Sequence, residues 1–234
     1  MDERGTTGRF IAFEGIDGSG KTTTAAHLVG LLRRSGVPVT LVAHNSTDVG
    51  PRVVSQYVAE LVSLKQRTHS FDYASLGAVH WALIRASYYA LVDRFVVGPA
   101  LERGEVTVAD GWYHKFVARV TAAGHADDPE AVRSIFAPVR TPDTVLLLDT
   151  APEVAADRKK DINDAEYGPA RRGEGSRSVF ARYQRQVRSE LLRMADPRAW
   201  QVIPTAELDP ARVAAACLDA LRGQGLWAEG SRVR

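Results

Sequence analysis

Gly15-Ile16-Asp17-Gly18-Ser19-Gly20-Lys21-Thr22 follows the pattern G-x-x-x-x-G-K-[ST], a loop built to hold phosphate. Its glycines let the backbone wrap closely around anionic oxygens, and the N–H groups that open the next helix then point at them. Lys21 can reach the β- and γ-phosphates, and the Thr22 hydroxyl can ligate Mg²⁺. The context is right: the apolar run Arg9 to Glu14 reads as a buried strand, and Lys21 to Arg34 as a helix ended by Ser35-Gly36. Gly15, Asp17, Gly18, Ser19, Gly20, Lys21, Thr22 and Thr23 therefore form a candidate site for ATP and Mg²⁺. The loop specifies a nucleoside triphosphate and leaves the partner in the reaction open.

Other chemistry-bearing residues are fewer. Asp110 follows the strand Glu105 to Ala109, where ligands of parallel sheets collect. It reads as a Mg²⁺ ligand through water or a general base, with capping of the helix after it as the bland alternative. Asp149 ends another strand, and Thr150-Ala151-Pro152 after it suggests that it starts a helix. Trp81, Arg85, Tyr88 and Val92 recur at helical spacing, which suits core packing better than an acceptor pocket. His27, His80 and His125 show no ligand spacing, so no structural zinc site is expected. The lone Cys217, set among alanines, excludes an intramolecular disulfide and suits a reducing compartment.

The elements that must position these groups alternate between strand and helix. Further strands are expected at Pro38 to Ala43, Asp143 to Leu148 and Trp200 to Ile203. Helices are expected at Val53 to Leu64, Leu76 to Arg103, Tyr113 to Ala123, Pro129 to Phe136, Pro152 to Lys159, Ser176 to Met194 and Asp209 to Leu221. A break is expected near Val97-Gly98-Pro99, since proline disfavours helix at the residue before it. The alternation implies one α/β domain over residues 1–223 with a parallel five-stranded sheet covered on both faces, and a tail at 224–234. Lys160 to Gly175 is too hydrophilic for core and reads as a mobile loop. With 30 basic and 28 acidic residues there is no field that would draw nucleic acid. No apolar stretch approaches a membrane span and Met1 to Phe10 holds no signal peptide, so a cytoplasmic protein is expected.

The nearest match to a guanine-recognition motif, Arg158-Lys159-Lys160-Asp161, has the wrong first residue and falls on a helix, so a regulatory switch is disfavoured. Instead, Phe13-Glu14-Gly15-Ile16-Asp17-Gly18-Ser19-Gly20-Lys21-Thr22-Thr23 resembles the F-E-G-x-D-G-x-G-K-[ST]-T signature of thymidylate kinases. Pro99-Ala100-Leu101, Asp110, Leu146 to Asp149 with Pro152-Glu153-Val154, and Phe180 to Leu192 follow in the family's order. The resemblance implies a three-layer α/β/α P-loop kinase fold whose lid, at about 160–176, closes over ATP. It also implies that, with Gly18 in the loop position where some members carry a catalytic arginine, lid arginines take that role: Arg171 and Arg172, with Arg158 beside the nucleotide. Asp157 to Arg193 carries ten basic and six acidic residues, as an anion-closing segment should.

On the acceptor side the sequence departs from the family pattern. His44-Asn45-Ser46-Thr47-Asp48 replaces a Glu-Pro-Gly turn, and Gly111 and Tyr89 stand where two phosphate-gripping arginines are usual. Arg85 lies one turn before Tyr89, displaced by roughly 6 Å. The expectation is an ATP-dependent small-molecule kinase whose acceptor offers a hydroxyl, such as a sugar, an aminocyclitol or a nucleoside. Glu14, Asp17, Asp93 and Asp110 would receive hydroxyl or ammonium groups, and Arg85, Tyr89 and Trp112 would line the pocket. An ordinary dTMP kinase is the alternative, a non-catalytic nucleotide switch the second; a homodimer is compatible with each.

Overall fold

The computed structural model describes residues 8–66, 73–126, 128–169, 176–205 and 208–224. In chain order the elements are β1 (Arg9–Glu14), α1 (Lys21–Arg34), β2 (Val39–Val42), α2 (Arg52–Gln66) and α3 (Tyr73–Val92). A π-helical turn (Asp93–Val97), α4 (Gly98–Glu102), β3 (Val106–Ala109), α5 (His114–Ala122), α6 (Pro129–Ser134) and β4 (Thr144–Asp149) follow. The chain continues with α7 (Pro152–Arg158), a 3₁₀ turn (Asp164–Tyr167), α8 (Arg177–Met194), β5 (Trp200–Pro204) and α9 (Pro210–Gly223).

The strands form one parallel sheet in the order β2-β3-β1-β4-β5. Its central strand, β1, is apolar on both faces, as a strand covered from both sides must be. Phe10 and Ala12 face a core built with Val58 of α2, Trp81 and Val92 of α3, and Phe116 of α5. Ile11 and Phe13 face the opposite core, with Leu28 and Leu32 of α1 and Cys217 and Leu221 of α9. A third cluster joins Leu147 to Phe180, Val187 and Leu191 on α8. The Cys217 thiol is wholly buried in the core beneath α1 and α9, and burial pushes it up to about 12, which makes it a packing residue. Among the described residues no helix is long and apolar enough to cross a membrane.

Register sets up the site. Ala12 pairs with Ala109 and Glu14 with Leu147, so the residues that leave β1, β3 and β4 emerge together at the carboxyl edge. The expected break at Val97-Gly98-Pro99 is not a break. The Gly98 N–H reaches back five residues to the Asp93 carbonyl, and this widened turn lets the helix run on into α4 with Pro99 in its first turn. The real interruption of the long helical segment is Gly77, at φ 72° and ψ 158°. Among its described residues, the polar stretch expected to stay out of the core contributes one buried residue, Glu166, at 7% exposure. Its carboxylate accepts from Asn163 N–H at 3.1 Å and pairs with Lys159 at 2.5 Å, so charge neutralisation permits the burial.

Candidate functional site

A cleft of about 740 Å³ opens at the carboxyl edge, lined by residues 17–24 of the loop and helix α1, with His44, Asp110, Lys115, Arg158 and Glu166. The loop's glycines are there because nothing else fits. A Cβ on Gly15, at φ 148°, would stand 2.8 Å from the Leu148 carbonyl oxygen. One on Gly18, at φ 82°, would stand 2.7 Å from the Ala155 carbonyl oxygen, which leaves no room for an arginine at that position. Gly20 is the residue before α1, left-handed at φ 89° and with no side chain capping the helix, so the first amides of α1 face the cleft. Gly18→Ala is therefore expected to cost stability by about 1–3 kcal/mol from backbone strain and collision. It should also weaken ATP, and thermal melting with an ATP titration checks both effects.

Lys21 arches over the loop, its Nζ donating to the carbonyls of Gly15 at 2.9 Å and Ile16 at 2.8 Å. Burial and Lys115 push its pKa down to about 8, against Asp17, Glu14 and Asp110, which hold it up. Such a lysine has charge to offer a phosphate and little water to lose. Asp110 is 4% exposed, and its Oδ2 has no hydrogen-bond partner among the described residues. An orphaned carboxylate oxygen in the cleft that Thr22 and the phosphate loop also line fits a magnesium site. Tyr113, not Asp110, precedes α5, so Asp110 caps no helix. Among the described residues no group of three or more His, Cys, Asp or Glu side chains could hold another metal.

Several sequence-chosen residues do something else. Asp17 lines the cleft, yet its carboxylate is held by Lys115 at 2.9 Å and faces Arg119 at 3.9 Å. Burial alone would raise its pKa, but Lys115, Arg119 and Lys21 outweigh that and hold it well below the usual carboxylate range. A carboxylate so engaged is no receptor for a substrate hydroxyl. Glu14 is fully buried, its Oε1 accepting the backbone N–H groups of Trp112 at 3.2 Å and His114 at 3.1 Å, with His114 Nδ1 also at 3.1 Å. Through Oε1 it clamps the segment after β3 to the start of the phosphate loop, while its Oε2 has no hydrogen-bond partner among the described residues.

Asp93 is corrected outright: it lies on the π turn and pairs with Arg140 at 2.5 Å, away from the residues that line the cleft. Tyr89 and Trp112 are corrected to core. Tyr89 donates its hydroxyl to the Trp112 carbonyl at 2.9 Å, and the Trp112 indole N–H goes to the Arg140 carbonyl at 2.9 Å. Their rings, 4.6 Å apart, leave no free polar group for an acceptor. Asp149 starts no helix either, since Ala151 takes that place. It accepts a two-pronged bond from Arg188, which locks α8 onto the edge of β4.

Arg158 reaches the cleft rim and donates to the Thr205 carbonyl at 3.1 Å. Arg171 and Arg172, expected in the lid, lie outside the described residues. Three groups escaped sequence reasoning. Lys115 and Gln184 meet Asp17 across separations of 98 and 167 residues, which no local pattern reports. Lys65 of α2 is 9% exposed with its Nζ 3.4 Å from the centre of the Tyr88 ring, and only a cation on the apolar side of an amphipathic helix could have flagged it. Burial and Arg85 push the Lys65 pKa down, and Arg85 lies 4.4 Å over the Phe116 ring. His44, open to the cleft, is held down to about 4 by the protein around it and by Lys115, Lys65 and Lys21, against Asp110. Lys21, Lys115 and Arg158 line the same cleft as Asp110.

Against known proteins, the family model for thymidylate kinase matches residues 13–210. The chain belongs to the thymidylate kinase family. A thymidylate kinase from Xanthomonas campestris pv. campestris is 30% identical over 232 residues, covering 91% of this chain and 90% of that protein. One from Bifidobacterium longum subsp. infantis is 30% identical over 205 residues, covering 86% and 81%. A solved thymidylate kinase from Candida albicans superposes with a TM-score of 0.64 over 94% of this chain at 16% identity, which speaks for the fold. Membership makes the protein an ATP-dependent small-molecule kinase of the P-loop α/β fold, and the switch reading falls away. It also corrects the expectation of a hydroxyl acceptor from another substrate class. That expectation rested on Gly111 and Tyr89, and these relatives match over nearly the whole chain, the acceptor half included.

Proposed function

We propose that the protein transfers the γ-phosphate of ATP to dTMP, forming dTDP and ADP. The observation that carries this reading is the near full-length match to thymidylate kinases on both the donor and acceptor sides of the sheet. A dianionic acceptor needs positive charge where it leaves water, and in this reading the cations that meet it, in place of Gly111 and Tyr89, are Lys65 against the Tyr88 ring and Arg85 against the Phe116 ring.

The loop amides and Lys21 hold the β- and γ-phosphates, while Thr22 and Asp110 would hold Mg²⁺. When bound, Mg²⁺ neutralises charge on the phosphate oxygens of ATP. An oxygen of the dTMP phosphate attacks the γ-phosphorus as the bond from that phosphorus to the bridging oxygen of ADP breaks. A phosphate nucleophile is already ionised near neutral pH, so no general base is needed. Asp110 then serves as a magnesium ligand, not as the base expected for a hydroxyl acceptor. Lys115 is kept beside the transferring group by its bond to Asp17. The compartment that suits such chemistry and a free buried thiol is the cytoplasm. The test is an ADP-release comparison of dTMP with thymidine and an aminocyclitol, in which dTMP should be preferred.

A further inference from the structure

Gln184 of α8 is fully buried and touches both walls of the donor cleft. Its Oε1 accepts the Asp17 backbone N–H at 3.1 Å, in the tip of the phosphate loop. Its Nε2 donates to Asp17 Oδ2 at 3.4 Å and to the Glu166 carbonyl, in the 3₁₀ turn opposite, at 3.0 Å. Asp17 and Glu166 both line the cleft, so one amide spans from loop to turn across it. The neighbouring Tyr183 strengthens the seat: Gly168, which follows the turn, packs on the Tyr183 ring so closely that a Cβ there would come within 2.5 Å. The Tyr183 hydroxyl donates to the Arg119 carbonyl at 3.1 Å.

A primary amide suits this place because it accepts and donates in one plane. A carboxylate would have no donor for the Glu166 carbonyl and would face Asp17, and an apolar chain would leave two buried backbone groups unpaired.

We propose that Gln184 is a positioning residue that pins the loop tip at Asp17 to the 164–167 turn and so holds the donor cleft at its working width. It acts through these two partners and touches no reacting atom. The proposal goes beyond the acceptor assignment, and its first readout does not depend on it: ATP titration in the presence of Mg²⁺.

Gln184→Met should weaken ATP on the order of tenfold and lower kcat by a similar factor, while KM for dTMP stays within about twofold. Gln184→Asn, which carries the same groups on a stem too short to span, should do the same. ATP affinity and kcat near wild type in a folded Gln184→Met protein would overturn the proposal. So would equal losses on the ATP and dTMP sides, or failure of both variants to fold, each of which marks a plain core residue. A wild-type protein that binds ATP but ignores dTMP would sink the proposed acceptor and leave the Gln184 test intact.

Discussion

Lys21→Ala is expected to lower phosphoryl transfer by roughly 10²- to 10³-fold or more while leaving the protein folded. The lysine spans the loop through the Gly15 and Ile16 carbonyls, and burial with Lys115 already holds its pKa down to about 8. A group held that way is poised for negative charge. The γ-phosphate gains charge contacts as its bond to ADP loosens, and alanine offers none. Stability should change little, since removing a partly buried cation relieves repulsion with Lys115 about as much as it strands two carbonyls. Single-turnover kinetics with a melting curve checks both halves. Turnover near wild type in the folded variant would remove the loop from catalysis.

The second large effect concerns the acceptor. Lys65→Met and Arg85→Gln should each raise KM for dTMP by about 10- to 150-fold, the worth of one hydrogen bond to a charged group. KM for ATP should stay within about threefold, since neither residue lines the donor cleft. Binding of thymidine, which lacks the phosphate, should be almost unchanged, and that contrast separates loss of a phosphate contact from general damage. Lys65→Met should leave the protein folded, which a melting curve checks. Lys65 is pushed down by burial and by Arg85, and methionine suits the space between α2 and the Tyr88 ring. Unaltered KM for dTMP in both folded variants would mean that the phosphate is held elsewhere.

The phosphate loop and the two elements around it were legible in the sequence almost to the residue, β1 as Arg9–Glu14 and α1 as Lys21–Arg34. Local chemistry decides them: an apolar run, glycines at positive φ and a helix whose first amides are left uncapped. The sheet was legible too, because alternation of strand and helix forces parallel crossovers. The acceptor side was not. Gly111 and Tyr89 were read as lost charge, and nothing in the sequence signalled that Lys65, on a different helix, lies over the Tyr88 and Tyr89 rings, because helix-to-helix proximity has no local signature. Acidic side chains misled for a related reason. Asp17 and Asp93 read as available and Asp149 as a helix start, and each is consumed by a basic partner distant in sequence: Lys115, Arg140 and Arg188. A carboxylate's role is set by what the fold places against it.

The product made from dTMP decides the acceptor most directly. Wild-type protein mixed with ATP, Mg²⁺ and dTMP and followed by ³¹P NMR should show dTDP and ADP rising together one for one. The accompanying kcat/KM for dTMP should be roughly 10⁴ M⁻¹s⁻¹ or more, at least about tenfold above that for thymidine. ADP appearing without dTDP, or a hydroxyl-bearing acceptor phosphorylated faster than dTMP, would contradict it.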